Sequence, residues 1–248
     1  MKFTYNSYKR LLESIRESGY EIANYRNWNN FNRCVILRHD IDYDIGKTVK
    51  LATLEKTMGV SSTFFVLLTS DFYNVFSKES YKDLEKIAED GHNIGLHFDE
   101  LRYPEAVGNP EIIKQLILKE SEILERVVGK KIDVVSMHRP SQGMLEADLD
   151  IPGMINSYSR TFFKEFKYLS DSRRYWREPI EDIIQAGEFN RLHILTHAFW
   201  YNEIEKDLKT SLLDYLKTGN YDRYSSLKDN FTKLEEVVSL DEIVGGAI

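Results

Sequence analysis

Seven short runs rich in β-branched and aromatic residues, "CVILRHD", "SSTFFVLL", "HNIGLHF", "IDVVSMH", "GMINSYS", "FKYLSDS" and "RLHILTHAFW", recur along this 248-residue chain, each parted from the next by a stretch long enough for a helix. Several separators carry helical periodicity. "DIGKTVKLATLEKTMG" sets Val49, Ala52, Leu54 and Met58 near one face and stops at Gly59, and "ESYKDLEKIAEDG" spaces Tyr81, Leu84, Ile87 and Ala88 before Gly91. "NPEIIKQLILKESEILERVVG" opens with Pro110 and Glu111 in its first turn and closes on Gly129. Such alternation predicts an α/β protein with a mostly parallel sheet, and continuous apolar runs such as "CVIL" suit strands buried on both faces. Seven units are too many for a small flavodoxin-like sheet and fit a barrel. A doubly wound open sheet is the competing architecture.

No low-complexity tract, fixed-period repeat or Pro/Gly/Ser linker interrupts the pattern, so one domain over residues 1–248 is expected, with its core at 34–201 and a helical tail at 202–248. The tail alternates charge around an apolar stripe (Leu212, Leu213, Leu216) and is expected to pack on the barrel or to make a homodimer contact. A formal charge of −7, with no basic run beyond Lys130-Lys131 and Arg173-Arg174, argues against a nucleic-acid partner. The single cysteine, Cys34, excludes an intrachain disulfide and fits a reduced, cytoplasmic setting. The N-terminus is polar and amphipathic, without the apolar core of a signal peptide, and no stretch approaches the ~18 apolar residues needed to span a bilayer.

Polar residues collect at one end of these strands. Asp40 and Asp42 end the first run, His97 the third, His138 and Arg139 the fourth and Asp171 the sixth, while His197 lies late in the last. In parallel α/β folds that end is where side chains from separate strands meet at one mouth. Any one such histidine is more often a hydrogen-bonding residue than a ligand. Together, histidines, two carboxylates sharing one strand face and an arginine able to pair with one of them form the set a divalent-metal hydrolase needs. His92, beside Gly91 and ahead of its strand, reads as a turn residue; His193, in mid-strand, reads as packing or capping.

These segments resemble the metal-dependent polysaccharide deacetylases of the NodB-homology type, carbohydrate esterase family four, over roughly residues 34–201. "HDID" is similar to a spaced form of the family's first motif, "GHNIGLH" to its G-H-x-I-G-x-H segment, "HRPS" to its R-P-P segment and "ILTHAFW" to its closing L-x-H. The resemblance implies a distorted (β/α)7 barrel. It also implies Asp40 as general base, Asp42 and His97 as metal ligands, Arg139 as the partner that keeps Asp40 ionised, and His197 as proton donor. Asp171, in "DSRRYW", would orient that histidine.

Where the family carries a second metal-binding histidine, this chain has Leu101; His138 is the favoured third ligand, with Asp99 and Glu100 as the alternatives. The implied activity is removal of an acetyl or similar acyl group from an amino sugar, with zinc as the expected ion. The acetylated substrate would be carried on a nucleotide or a lipid if the protein works inside the cell. Tyr43, Phe98, Tyr103, Trp176, Phe199, Trp200 and Tyr201 are candidates for stacking on sugar faces. Two other readings use the same barrel: a catalytically silent carbohydrate- or sugar-nucleotide-binding relative, and an amidohydrolase of cyclic ureides.

Overall fold

The computed structural model describes residues 1–244, which divide into two compact units: Met1–Glu203 and a second that begins at Ile204. In chain order the first unit runs α1 (Tyr5–Glu17), β1 (Glu21–Ala23), β2 (Cys34–Ile41), α2 (Ile45–Thr57), β3 (Thr63–Val66), α3 (Lys78–Glu89), β4 (Asn93–Phe98) and α4 (Pro110–Val128). It continues with β5 (Val134–Met137), α5 (Gln142–Glu146), β6 (Ile155–Asn156), β7 (Lys167–Ser170), α6 (Ile180–Ala186) and β8 (Arg191–Thr196). The second unit holds α7 (Leu208–Lys228), α8 (Leu234–Val237) and α9 (Leu240–Val244), and its stripe residues Leu212, Leu213 and Leu216 are exposed.

All seven runs form strands. Their order is β6-β5-β4-β3-β2-β8-β7, and every pairing is parallel. This is a distorted (β/α)7 barrel, the curled form of the architecture that strand–helix alternation requires. Among the described residues no ladder joins β6 to β7. The rings of Tyr158, Phe163 and Tyr168 instead stand in line there, with centroids 4.9 and 5.2 Å apart. The short β1 runs beside the start of β2, pairing Glu21 with Cys34, where the β3 ladder has not yet begun.

Helix boundaries follow local chemistry. Asp44 caps α2 by accepting from the Lys47 N–H at 2.9 Å, and Asn109 and Pro110 open α4, which ends on Gly129 at φ +66°. The outward faces of β3 and β4 (Phe64, Val66, Ile94, Leu96, Phe98) bury against α2, α3 and α4 in the larger core.

The inward faces build the site. Along β2 the even-numbered residues enter the barrel, apolar first (Cys34, Ile36) and then charged (Arg38, Asp40), with Asp42 just past the strand. A plug of Tyr25, Phe65, Phe162 and Phe166 fills the bottom. Gly95 permits this packing: a Cβ there would stand 2.6 Å from the Phe65 ring and 3.0 Å from the Val134 carbonyl oxygen. Two residues on, His97 faces the same interior above the plug.

Candidate active site

Arg38 is fully buried directly over the plug, its guanidinium carbon 5.1 Å from the centroids of both Phe65 and Tyr158. A charge so placed must be paired. Asp40, two residues on and on the same strand face, accepts from Arg38 Nη2 at 2.7 Å and from Nε at 3.2 Å, a two-toothed fork. Ser136 of β5 and Ser157 accept the remaining guanidinium donors. Burial opposes ionisation of Asp40, but Arg38, then His97 and His197, outweigh it and hold the carboxyl below its ordinary range.

Above that pair, Asp42, His97 and His138 converge, with one ligand atom from each lying within 4.8 Å of the others. Asp42 Oδ1 is 3.4 Å from His97 Nε2 and 3.5 Å from His138 Nδ1, and the two ring nitrogens are 3.1 Å apart. Burial pushes the Asp42 carboxyl upward, yet the two rings and the His197 charge hold it well below the ordinary carboxylate value. Asp42 Oδ1 is buried without a hydrogen-bond partner among the described residues. An orphaned carboxylate oxygen facing two imidazole nitrogens is a donor set that a borderline divalent cation satisfies, and the three residues fit such an ion.

The third group is a histidine–carboxylate pair. Asp171 is fully buried after β7, and its Oδ1 meets His197 Nδ1 at 2.6 Å while both its oxygens accept from the His197 backbone N–H at 3.1 Å. This fixes the ring and turns Nε2 toward Asp42 Oδ2, 3.8 Å away. Burial disfavours the imidazolium, but Asp171, with Asp42 and Asp40 behind it, dominates and raises the His197 pKa to about 9. Desolvation in turn raises the Asp171 carboxyl, an effect His197 partly offsets. Around these groups opens a cleft of about 840 Å³ whose walls include Tyr43, Trp176 and Trp200.

The structure is similar to a family 4 carbohydrate esterase from Streptococcus mutans, at 21% identity over 82% of this chain and 86% of that one, with a TM-score of 0.50. The chain has the fold of the family 4 carbohydrate esterases. Looser matches are a polysaccharide deacetylase from Bacillus cereus (16% identity, 75% of this chain and 86% of that one, TM-score 0.48) and a family 4 pseudoenzyme from Bacillus anthracis (15%, 77% and 62%, TM-score 0.45). No protein-family model matches the sequence, and no curated protein matches it.

On this esterase fold, one sequence-based assignment needs correction. Arg139 does not pair with Asp40. Its backbone sits at φ +47°, beyond the end of β5 at Met137, and its side chain lies against His138, with Nε 2.9 Å from His138 Nε2. Arg38 takes the position over Asp40 instead. It could have been found in the sequence, because residues two apart on a strand share a face.

The third-ligand alternatives also separate. Glu100 is buried but accepts from the Ser141 backbone N–H, and Asp99 caps the next turn by accepting from Leu101 N–H at 3.1 Å, so His138 is left to join the cluster. Strict alternation would have turned His138 and Arg139 apart; the chain bends there, and His138 N–H still donates to the Phe98 carbonyl at 2.7 Å.

Among the expected stacking residues, Phe98 and Tyr103 pack in the outer core and Tyr201 is fully buried, whereas Phe72, Tyr158 and Tyr168, not singled out from sequence, line the cleft. His92 ties two layers together: its Nε2 donates to the Ala52 carbonyl at 2.9 Å, and its Nδ1 accepts from Ser62 N–H at 3.2 Å. His193 lies inside the barrel, 2.8 Å from the Tyr25 hydroxyl. Among the described residues no helix is long and apolar enough to cross a membrane.

Proposed function

We propose that this protein is a divalent-metal-dependent hydrolase that removes an acetyl or similar acyl group from the amino group of a sugar, with zinc as the ion and the cytoplasm as its setting. The observation that carries this reading is the convergence of Asp42, His97 and His138 on one point, flanked by the Asp40–Arg38 pair and the His197–Asp171 pair.

Asp42, His97 and His138 would hold the ion, which when bound supplies Lewis acidity that polarises the amide carbonyl and acidifies water. Asp40, ionised through Arg38, takes the proton of the attacking water. His197, charged at neutral pH, gives its Nε2 proton to the departing nitrogen, because an amide anion is too basic to leave unprotonated. Water and amide are thereby converted to carboxylate and amine. Asp171 holds the ring so that Nε2, and not Nδ1, faces the cleft.

The reading is tested by acetate release from N-acetylated amino sugars with zinc-loaded protein, Asp40→Asn and His197→Ala. Each variant is expected to lose ~10²- to 10⁴-fold in kcat. Equal rates in all three proteins would reject it.

A further inference from the structure

Among the described residues four non-glycine positions have left-handed backbone: Arg139 (φ +47°), Asp148 (φ +44°), Arg173 (φ +59°) and Arg174 (φ +60°). Three are arginines. A Cβ makes this conformation costly, and glycine would spare the cost, so a sequence that keeps a long cationic side chain there is keeping the side chain for a purpose.

Their surroundings separate them. Arg139 is committed to His138 through Nε, and Arg174 lies over the Phe3 ring at 5.2 Å. Arg173 and its near neighbour Arg177 are exposed and line the cleft. Among the described residues neither has a carboxylate within ion-pairing distance, although acids stand in the same walls. Asp40 is matched by Arg38, Asp42 faces His97 and His138, Glu178 is matched by Lys167 at 2.5 Å, Asp99 is engaged with Leu101 N–H, and the exposed Asp71 stands in the wall beyond ion-pairing distance of either arginine. Two guanidinium forks therefore face a cleft near the upper end of the size range for small-molecule sites, in a protein whose net charge is −7.

We propose that Arg173 and Arg177 form a subsite for an oxyanion, phosphate or carboxylate, carried by the sugar that loses its acyl group. The inference rests on the hydrolase reading for what the sugar is doing in the cleft, and it adds that the substrate is an anionic amino sugar. A planar guanidinium pairs two N–H donors with two oxygens of such a group, which a neutral glycan cannot supply.

Binding without turnover tests this separately from the hydrolase reading. Quenching of tryptophan fluorescence, reported by Trp176 and Trp200 in the cleft wall, is followed with N-acetylglucosamine 1-phosphate, N-acetylmuramic acid and the neutral methyl glycoside of N-acetylglucosamine. It is done on the full chain with and without zinc, so that phosphate bound to metal is told apart. Expected is binding of at least one charged sugar about tenfold tighter than the neutral one in both states. The tighter of the two names the oxyanion. Arg173→Gln and Arg177→Gln should each remove most of that preference. Arg173→Gly should remove it while leaving the melting temperature unchanged or raised, since it relieves the strained backbone; a purely structural arginine would not show that split. Equal binding of charged and neutral sugars, no binding of either charged sugar, or an undiminished preference in the variants would overturn the proposal. Loss of acetate release in Asp40→Asn with the anion preference intact would show the two readings standing independently.

Discussion

Strand β2 carries a histidine–carboxylate cluster on each of its faces, and the two are built to opposite ends. Inward, Asp40 and Asp42 meet His97, His138 and His197 under an open cleft. Outward, His39 donates into a sealed network. Its Nε2 is 3.0 Å from Glu55 Oε1, its Nδ1 contacts the Thr196 hydroxyl, and Glu55 also accepts from the hydroxyls of Tyr8 and Ser62. Residue types are nearly the same. What differs is satisfaction: Glu55 spends both oxygens on protein donors at zero exposure, while Asp42 Oδ1 has none. A saturated buried network specifies and stabilises a fold, and an unsaturated one at a cleft is available to a ligand.

Breaking the inward cluster should produce the largest functional effect and the smallest structural one. Asp42→Ala or His97→Ala is expected to weaken zinc binding beyond the ~10- to 100-fold typical of outer-shell changes and to abolish acetate release. The stability of the metal-free chain should fall by less than in the outward network: Asp42 Oδ1 has no hydrogen bond to lose among the described residues, and what is lost is the attraction between its ionised carboxyl and the His97 and His197 charges. Zinc titration with a chromogenic chelator and urea unfolding of the same preparations read both quantities. A variant that binds zinc normally would remove the inward cluster from consideration as a metal centre.

The outward network should respond the other way. Glu55→Ala strands the Tyr8 and Ser62 hydroxyls and His39 Nε2 in a dry interior, and a cost of about 3–5 kcal/mol is expected in urea unfolding. Zinc affinity of the folded protein should be unchanged. A loss below about 1 kcal/mol would mean that water reaches the network and that the contrast between the faces is false.

A third histidine sharpens the comparison through pH. His193 is fully buried beside Tyr25 and Phe162, and burial, reinforced by Arg38, lowers its pKa from 6.5 to about 3. Below pH 6.5 the unfolded chain binds a proton that the folded one refuses until about pH 3, so stability is present at neutral pH and lost on acidification through that window. Between pH 7 and pH 5 the loss from this residue is about 2 kcal/mol. His193→Gln should flatten the stability–pH profile by that amount; an unchanged slope would place a proton on the folded imidazole.

How much of this could be read from residues alone depends on whether a feature was periodic. The seven strands and the helices α2, α3 and α4 were visible because burial imposes a repeat over many residues, whereas β1 was invisible since three residues carry no period. Asp40, Asp42, His97, His138, Asp171 and His197 stood out as polar ends of apolar runs. Arg38 did not, because a charge inside such a run looks like an interruption until its partner two residues away is placed on the same face. Arg139 looked like that partner from its neighbours Pro140 and His138, and only the left-handed turn beyond β5 shows that it points elsewhere. The separation of His39 from the site was likewise hidden: its neighbours in sequence are the site's own residues, and one step along a strand reverses the side chain.

The smallest expected effect is also a sharp one. If His138 completes the inward cluster, then restoring a histidine at Leu101 should change zinc affinity by less than about threefold. Leu101 is 59% exposed, and its turn is pinned by the cap from Asp99, so a side chain there is not aimed at Asp42. Adding a histidine near a three-donor set that already fits brings little, because the ion gains at most an exposed, unoriented ligand. The informative experiment is the double variant. Zinc binding lost in His138→Ala should stay lost in His138→Ala with Leu101→His. Full rescue by Leu101→His would show that the turn after β4 is free to reach inward, and that the third ligand could as readily come from the strand that supplies His97 as from the one beside it.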